Sequence, residues 1–367
     1  MKKKVAAITM VWVLATISLA ACGTSDSKGT TEGGSSAKTE AGTAEAAKPE
    51  TAKTESKSES KSEAEADAAD AVDEAVTEAV GKASGEKYKI VFSSYSQTAQ
   101  FQVLLAEAMQ DYVSEKYADS VDFSVLDGNM DSATQVGQID NLIAQNVDGI
   151  LICPMDGDAL VPAVEAANDA KVPLITVNAQ VNSDEVLAHV GSDDVVAGEL
   201  EMQYVADQLN GKGNIVILHG PNGISAEVLR REGYENILKK YPDIKVLSEP
   251  TCNWSREEAL STTENLLQGA DEIQAIVAQN DEMAMGALQA VLDNDMGDKI
   301  IVTGIDAIDD AKAAIETGTL SATVFQDAKG QAEAGIDEIL DIVKGGEPKD
   351  VSIPYVLVTK DNIADYK

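Results

Sequence analysis

The stretch Ala278-Gln279-Asn280-Asp281-Glu282-Met283-Ala284-Met285-Gly286-Ala287 decides how this chain is read. It continues the apolar run Ala275–Ala278 and opens the helix-like run Met283–Leu292. A strand that ends in polar residues and turns straight into a helix is how open α/β sheets present ligand-binding groups, at the carboxyl ends of their strands. Asp281 is expected to cap the helix, because its carboxylate can accept otherwise unpaired N–H groups. Asn280 is then left pointing outward with both donors and an acceptor. A plain polar strand-to-helix turn fits the same residues, so the rest of the chain must decide.

Moving outward, short apolar runs alternate with longer amphipathic ones from Lys87 to Lys367. Strands are predicted over Tyr88–Ser93, Asp122–Leu126, Gly149–Cys153, Leu174–Asn178, Ala188–Gly191, Asn214–His219, Lys245–Ser248, Ala275–Ala278, Ile300–Ile305, Ala322–Phe325 and Tyr355–Val358. Helices are predicted over Phe101–Tyr117, Thr134–Gln145, Leu160–Lys171, Val195–Leu209, Ala226–Tyr241, Glu257–Gln268, Met283–Asp293, Ala307–Thr317 and Gly330–Val343. Regular βα alternation implies parallel sheets covered by helices on both faces, an α/β class. So many strands are too many for one core, and the alternation restarts near Asn214, so two similar domains are expected. Several strands end in polar residues: Ser93-Ser94, Asn178, Asp281, Asp306 and Gln326-Asp327. If the strand ends of two sheets face each other, these residues converge on one cleft.

The composition removes several function classes. A net charge of -35 argues against a nucleic-acid binder, which needs a basic face. Cys22, Cys153 and Cys252 make neither a disulfide framework nor a metal-ligand cluster. With His189 and His219 as the only histidines, His-based metal sites and Ser-His-Asp chemistry are disfavoured. No Gly-x-x-x-x-Gly-Lys loop is present. The acidic turn Asp293-Asn294-Asp295-Met296-Gly297-Asp298 fails as a calcium loop, because its sixth and twelfth positions are Asp298 and Gly304 rather than Gly and Glu. No cofactor or metal is expected.

The first residues read as a targeting segment, Met1–Ala21, with Lys2-Lys3-Lys4 before the apolar stretch Val5–Leu19. Leu19-Ala20-Ala21-Cys22 resembles the lipobox of bacterial lipoproteins, which implies a lipidated Cys22 as the new N-terminus. Gly23–Glu86 is low-complexity, built from Ser, Thr, Ala, Glu, Lys, Gly and Asp without an aromatic residue. Such a segment cannot bury enough apolar surface to offset its ordering entropy, so residues 22–86 are expected to be a flexible tether. A long tether suits a cell with a thick wall outside one membrane.

Five motifs in one order carry a family resemblance: Gly149-Ile-Leu-Ile-Cys-Pro-Met-Asp156, Pro173-Leu-Ile-Thr-Val-Asn178, Gly191-Ser-Asp193, Ala278-Gln-Asn-Asp-Glu-Met-Ala-Met-Gly286 and Gly304-Ile-Asp306. They resemble the ribose-type periplasmic sugar-binding proteins, the solute receptors of ABC importers, through essentially all of Lys87–Lys367. The resemblance implies two Rossmann-like domains joined by three crossing strands, with a ligand cleft between them. It divides the chain into residues 87–192 plus 327–355 and residues 193–326 plus 356–367.

It also implies site residues. Ser94, Thr98, Gln100 and Phe101 fall on the first strand-to-helix loop, which touches the sugar in the family. Asn178, Trp254, Asn280, Asp306 and Gln326 fall on further contact positions, with Trp254 as the stacking aromatic. Each also has a plainer reading: Phe101 as core, Trp254 as loop packing, Asn178 as a turn, Asp306 as a helix cap, Gln326 as a hinge residue. Three positions depart from the family. Ala179 and Val228 stand where arginines often bind sugar hydroxyls, and Gln100 where a second aromatic is common. The remaining set, with Asp306 as its one carboxylate, suits a neutral, hydroxyl-rich ligand such as a sugar, polyol or nucleoside rather than an anion. Arg230 and Arg231 are read as salt-bridging, the two histidines as structural, and Cys153 and Cys252 as unpaired.

The function implied is a monomeric lipid-anchored receptor on the outer face of the cytoplasmic membrane. It closes on a sugar or polyol and delivers it to an ABC permease driven by a separate ATPase subunit. A receptor signalling to a chemoreceptor or sensor kinase is the alternative that the domain sequence leaves open. An enzyme is disfavoured, since no nucleophile–base pair is visible. A transcription regulator of this architecture is excluded by the targeting segment and the lack of a basic helix-turn-helix.

Overall fold

The computed structural model describes residues 85–269 and 272–366. The targeting segment, Cys22 and all of the tether before Gly85 lie outside the described residues. Among the described residues no helix is long and apolar enough to cross a membrane.

The chain begins β1 (Tyr88–Ser94), α1 (Gln100–Lys116), β2 (Val121–Asp127), α2 (Ser132–Ala144), β3 (Gly149–Ile152), α3 (Val161–Asp169), β4 (Leu174–Val177) and β5 (His189–Gly191). It continues α4 (Asp194–Gln208), β6 (Lys212–Leu218), α5 (Ser225–Leu238), β7 (Asp243–Ser248), α6 (Arg256–Leu267), β8 (Ala275–Ala278), α7 (Asp281–Asp293), β9 (Ile301–Asp306), α8 (Asp309–Thr317), β10 (Ala322–Phe325), α9 (Ala328–Val343), β11 (Val351–Ser352) and β12 (Val356–Thr359).

These strands form two six-stranded sheets, ordered β11-β5-β4-β3-β1-β2 and β12-β10-β9-β8-β6-β7. Apart from the antiparallel β10–β12 pair, the pairings are parallel. The central strands β3, β4 and β8 are buried along their whole length. That is why Gly149–Ile152 and Ala275–Ala278 read as continuous apolar runs, since both faces of a parallel sheet are covered by helices. Each sheet repeats one order, and each reverses direction beside its first strand, at β1/β3 and at β6/β8. Those reversals are where such sheets open a ligand crevice at their carboxyl ends.

The chain passes between the sheets three times: from β5 into α4, from β10 into α9, and from β11 to β12. α4 packs on α5 and the second sheet, whereas α9 returns to pack on α1 and the first. The strand and helix spans expected from sequence fall within a few residues of those observed. One strand was not anticipated: β11 has only two residues, Val351 and Ser352, paired with Val190 and Gly191. Such a short run carries no periodicity to read.

The opening stretch folds differently at its caps. Asn280, not Asp281, is the N-cap of α7, its Oδ1 accepting from Met283 N–H at 3.0 Å. Asp281 enters the first turn of the helix and is fully buried. Its carboxylate accepts the Ile308 N–H at 3.0 Å and the Thr323 hydroxyl at 2.7 Å. Burial raises its pKa to about 6, against those hydrogen bonds. Both bonds fix the β9–α8 turn, so the helix cap and the turn that carries Asp306 are built from adjacent residues.

Candidate functional site

The carboxyl ends of the two sheets meet around one small cavity lined by Tyr95, Ala99, Gln100, Phe101, Asn178, Ile224, Ala226, Arg230, Trp254, Asn280, Asp306 and Gln326. Its volume is about 30 Å³, room for a few water molecules. That is smaller than a ring-sized ligand. A groove of about 840 Å³ adjoins it, sharing Gln100, Asp306 and Gln326 with the cavity.

On the first sheet's side, β1 delivers Tyr95 and the start of α1, with Tyr95 and Phe101 both buried. Asn178 follows β4 with a left-handed φ of 71°. Its Oδ1 accepts from Gln102 Nε2 at 3.0 Å and its Nδ2 donates to Gln331 Oε1 at 3.2 Å. Gln331 Nε2 in turn donates to Ser192 Oγ at 3.2 Å, beside the first crossing. The amide is thus held in one orientation by two buried glutamines.

On the second sheet's side, Trp254 sits in a loop with φ of 59°, next to Asn253 at 51°. Its indole lies against Gly220, where a Cβ would stand 2.1 Å from the ring, so only glycine admits the tryptophan. Asp306 ends β9 with φ of 129°, followed by Ala307 at 60°. Left-handed residues other than glycine cost on the order of 1–3 kcal/mol each and gather at functional sites. The Asp306 carboxylate receives no hydrogen bond from the described residues. Burial pushes its pKa well above the ordinary carboxylate range, Arg230 pulls it down, and Asp281, Asp194 and Glu282 push it up again.

Arg230 is the residue that sequence reasoning kept out of the site. It is buried, and its guanidinium donates to Asp194 Oδ1 at 2.9 Å, Gln326 Oε1 at 3.1 Å, the Tyr355 hydroxyl oxygen at 3.1 Å and the Gln279 carbonyl. Tyr355 also donates its hydroxyl to Asp194 Oδ1 at 2.7 Å. The guanidinium carbon lies 5.8 Å from the centre of the Trp254 ring. Burial opposes its charge, but Tyr355, Asp194 and Asp306 outweigh that, so Arg230 holds its proton more tightly than an ordinary arginine. Arg230 is salt-bridged, as expected, but it also lines the cavity. A guanidinium is therefore present in the cleft although Ala179 is buried and Val228 is 51% exposed and lines no part of the cavity. The legible signal was phase: Arg230 shares the buried face of α5 with Ala226, Glu227, Gly233, Tyr234 and Ile237, so it sits in the core-facing stripe rather than on the solvent side.

Of the residues expected to bind, Gln100, Phe101, Asn178, Trp254, Asn280, Asp306 and Gln326 come together at the cavity. Ser94 and Thr98 do not. Ser94 is fully buried and lines no part of it, its one hydroxyl proton shared between the Ser96 carbonyl at 2.8 Å and Gln102 Oε1 at 3.0 Å. Thr98 is exposed, with its hydroxyl 3.0 Å from that of Ser96. The chain turns one residue later than the loop reading supposed, which gives the position beside the cavity to Tyr95. Away from the cavity, His219 Nδ1 lies 3.2 Å from Glu227 Oε1, and Arg231 also pairs with Glu227. Cys153 and Cys252 are buried free thiols, and burial pushes Cys153 up to about 12.

Comparison with known proteins places the chain. It is 40% identical over 260 residues to a xylitol-binding protein of Mycolicibacterium smegmatis, covering 70% of this chain and 73% of that one. It is 37% identical over 237 residues to the ribose import binding protein RbsB of Bacillus subtilis, covering 64% and 76%. Its fold matches an ABC transporter solute binding protein from Bacillus halodurans with bound myo-inositol at a TM-score of 0.74 and 36% identity, over 77% of this chain and 98% of that one. Residues 90–347 match the periplasmic binding protein domain, and the chain belongs to that family.

Proposed function

We propose that this protein is an extracytoplasmic solute receptor that captures a sugar or polyol and delivers it to an ABC importer. The observation that carries this reading is the Asp306 carboxylate. It is buried, lines the cavity together with Trp254 and Phe101, and has no donor among the described residues. Ligand hydroxyls can donate to such a carboxylate with charge-assisted strength while the aromatic faces cover the C–H surface. Arg230 is already met by Asp194, Gln326 and Tyr355, so the cavity offers no spare positive charge to an anion. Relatives that bind xylitol and ribose and a structure holding myo-inositol support a neutral polyhydroxyl ligand.

In this reading residues 87–192 with 327–355 and residues 193–326 with 356–367 are two lobes that turn about the three crossings. Only the closed form brings Phe101 and Asn178 to the same ligand as Trp254, Asn280 and Asp306, so binding shifts the population toward closure. The closed receptor then docks on a permease whose ATPase is a separate subunit, and this chain performs no chemistry of its own. Lipidated Cys22 and the tether hold it, as a monomer, at the outer face of the cytoplasmic membrane.

A thermal-shift screen with ribose, allose, xylitol and myo-inositol tests the reading. A ligand at a hundredfold excess over its Kd stabilises the folded form by about 2.7 kcal/mol. At least one of these compounds should raise Tm, and Asp306→Ala and Trp254→Ala should each abolish the rise. No rise across sugars, polyols and nucleosides, or a full rise in both variants, defeats it.

A further inference from the structure

Two hydrogen bonds cross the cleft without any ligand. The Gly157 N–H, in the β3–α3 loop, donates to the Gly223 carbonyl in the β6–α5 loop at 3.1 Å. The Gln180 N–H, just beyond β4, donates to Ser225 Oγ at the start of α5 at 2.9 Å. The residues between and beside them, Ile224 before α5 and Ala226 in its first turn, line the cavity, whereas Gly223 and Ser225 do not. Along this segment alternate residues thus serve the ligand and the opposite lobe.

The first-lobe side of this contact is braced. Asn182 N–H donates to the Gly157 carbonyl at 3.0 Å, and its Nδ2 donates to Asp158 Oδ1 at 2.7 Å. Asp156 Oδ1 accepts from the N–H groups of Asp158 and Ala159 at 2.9 and 2.8 Å. The contact is also close: a Cβ on Gly223 would stand 2.3 Å from Asp156 Oδ2, and Gly223 has a φ of +95°.

We propose that Gly223 and Ser225 are affinity-setting residues that act without touching ligand, by latching the second lobe to the Asp156–Gly157 and Gln180 segments of the first. The proposal rests on the receptor reading above. The latch gives the ligand-free protein a standing closed population. Apparent affinity scales with that population, because a ligand that binds only the closed form is weakened by the fraction that is open. Losing one such hydrogen bond lowers the closed-to-open ratio about three- to tenfold.

The test measures the ligand-free full chain, so it does not depend on which solute binds. Spin labels on Asp169→Cys and Glu235→Cys, exposed on opposite lobes, report the lobe–lobe distance by pulsed electron resonance. The unsubstituted latch should show a short-distance population that Ser225→Ala reduces about three- to tenfold. Gly223→Ala should remove it, because a Cβ there meets Asp156 Oδ2 and a φ of +95° is strained for alanine. A short-distance population unchanged in Ser225→Ala and Gly223→Ala overturns the latch, and so does its absence from the parent protein. If no sugar, polyol or nucleoside raises Tm while these distances behave as stated, the receptor reading has failed and the latch stands only as a lobe–lobe contact, without its role in affinity.

Discussion

Replacing Arg230 with methionine removes the one group that ties the cavity to all three crossings. Asp194 begins α4 just after the first crossing, Gln326 sits at the second, and Tyr355 at the third; all three meet the guanidinium within 3.1 Å. Methionine matches the stem and leaves a buried carboxylate, an amide oxygen and the Gln279 carbonyl without their donor. Asp194 keeps the Tyr355 hydroxyl at 2.7 Å, which softens the loss without neutralising the charge. Breaking a buried ion pair from one side costs about 3–5 kcal/mol, whereas an exposed pair is worth about 0–1. For a chain of this size that is a fall in Tm of roughly 10 °C. Urea unfolding of Arg230→Met, Asp194→Asn and the double variant provides the measurement. The double variant should be more stable than the sum of the singles predicts by at least about 2 kcal/mol, and the single-variant loss should hardly change in about 1 M salt. A loss under about 1 kcal/mol in Arg230→Met, or additive singles, would refute the claim that one buried charge organises the crossings.

Two further outcomes are expected. Glu201 is buried in the second lobe, accepting from the Tyr234 hydroxyl and from Thr303 Oγ1 at 2.7 Å, and burial pushes its pKa from 4.5 up to about 8. A carboxyl raised by folding contributes stability that is fully present below its unfolded value and is lost as pH climbs through the folded one. Unfolding free energy should therefore fall between about pH 4.5 and about pH 8, and Glu201→Gln should flatten that fall; equal slopes in the two proteins would assign the loss elsewhere. Cys22→Ala should move the full-length protein from the membrane fraction to the soluble one, and retention at the membrane would count against lipidation.

Much of this was legible in the sequence because parallel sheets write themselves as apolar runs. Gly149–Ile152 and Ala275–Ala278 announce buried strands, and the polar residues after β4, β8, β9 and β10 announce the cleft. What failed was local. Asn280 and Asp281 are both good caps, and their roles separate only when Thr323 and the Ile308 amide arrive from distant parts of the chain to claim Asp281. Ser94 and Tyr95 differ by one position, and a strand end fixes which of two neighbours faces the crevice only once its register is known. Arg230 was hidden by an ordinary prior, that arginines beside acidic residues pair at the surface. Its place in the buried stripe of α5 was visible, but its partners Asp194, Gln326 and Tyr355 are far away in sequence.

The satisfied groups define the ligand as much as the unsatisfied ones, the Asp306 carboxylate and the buried indole N–H of Trp254. Asn178 is held by Gln102 and Gln331, Arg230 by three partners, and the oxygen of Asn280 by its own helix. Each reaches the cavity already oriented, so a ligand does not have to order it, which lowers the entropic cost of binding. Asp306 stands apart, strained in its backbone, raised in pKa and without a donor among the described residues. A neutral molecule with adjacent hydroxyls can supply that donor; a carboxylate or phosphate would bring a second negative charge to a buried one, with Arg230 already engaged. On the receptor reading proposed above, selectivity against anions would follow from pairing inside the protein, with Ala179 and Val228 leaving the choice among neutral ligands to shape.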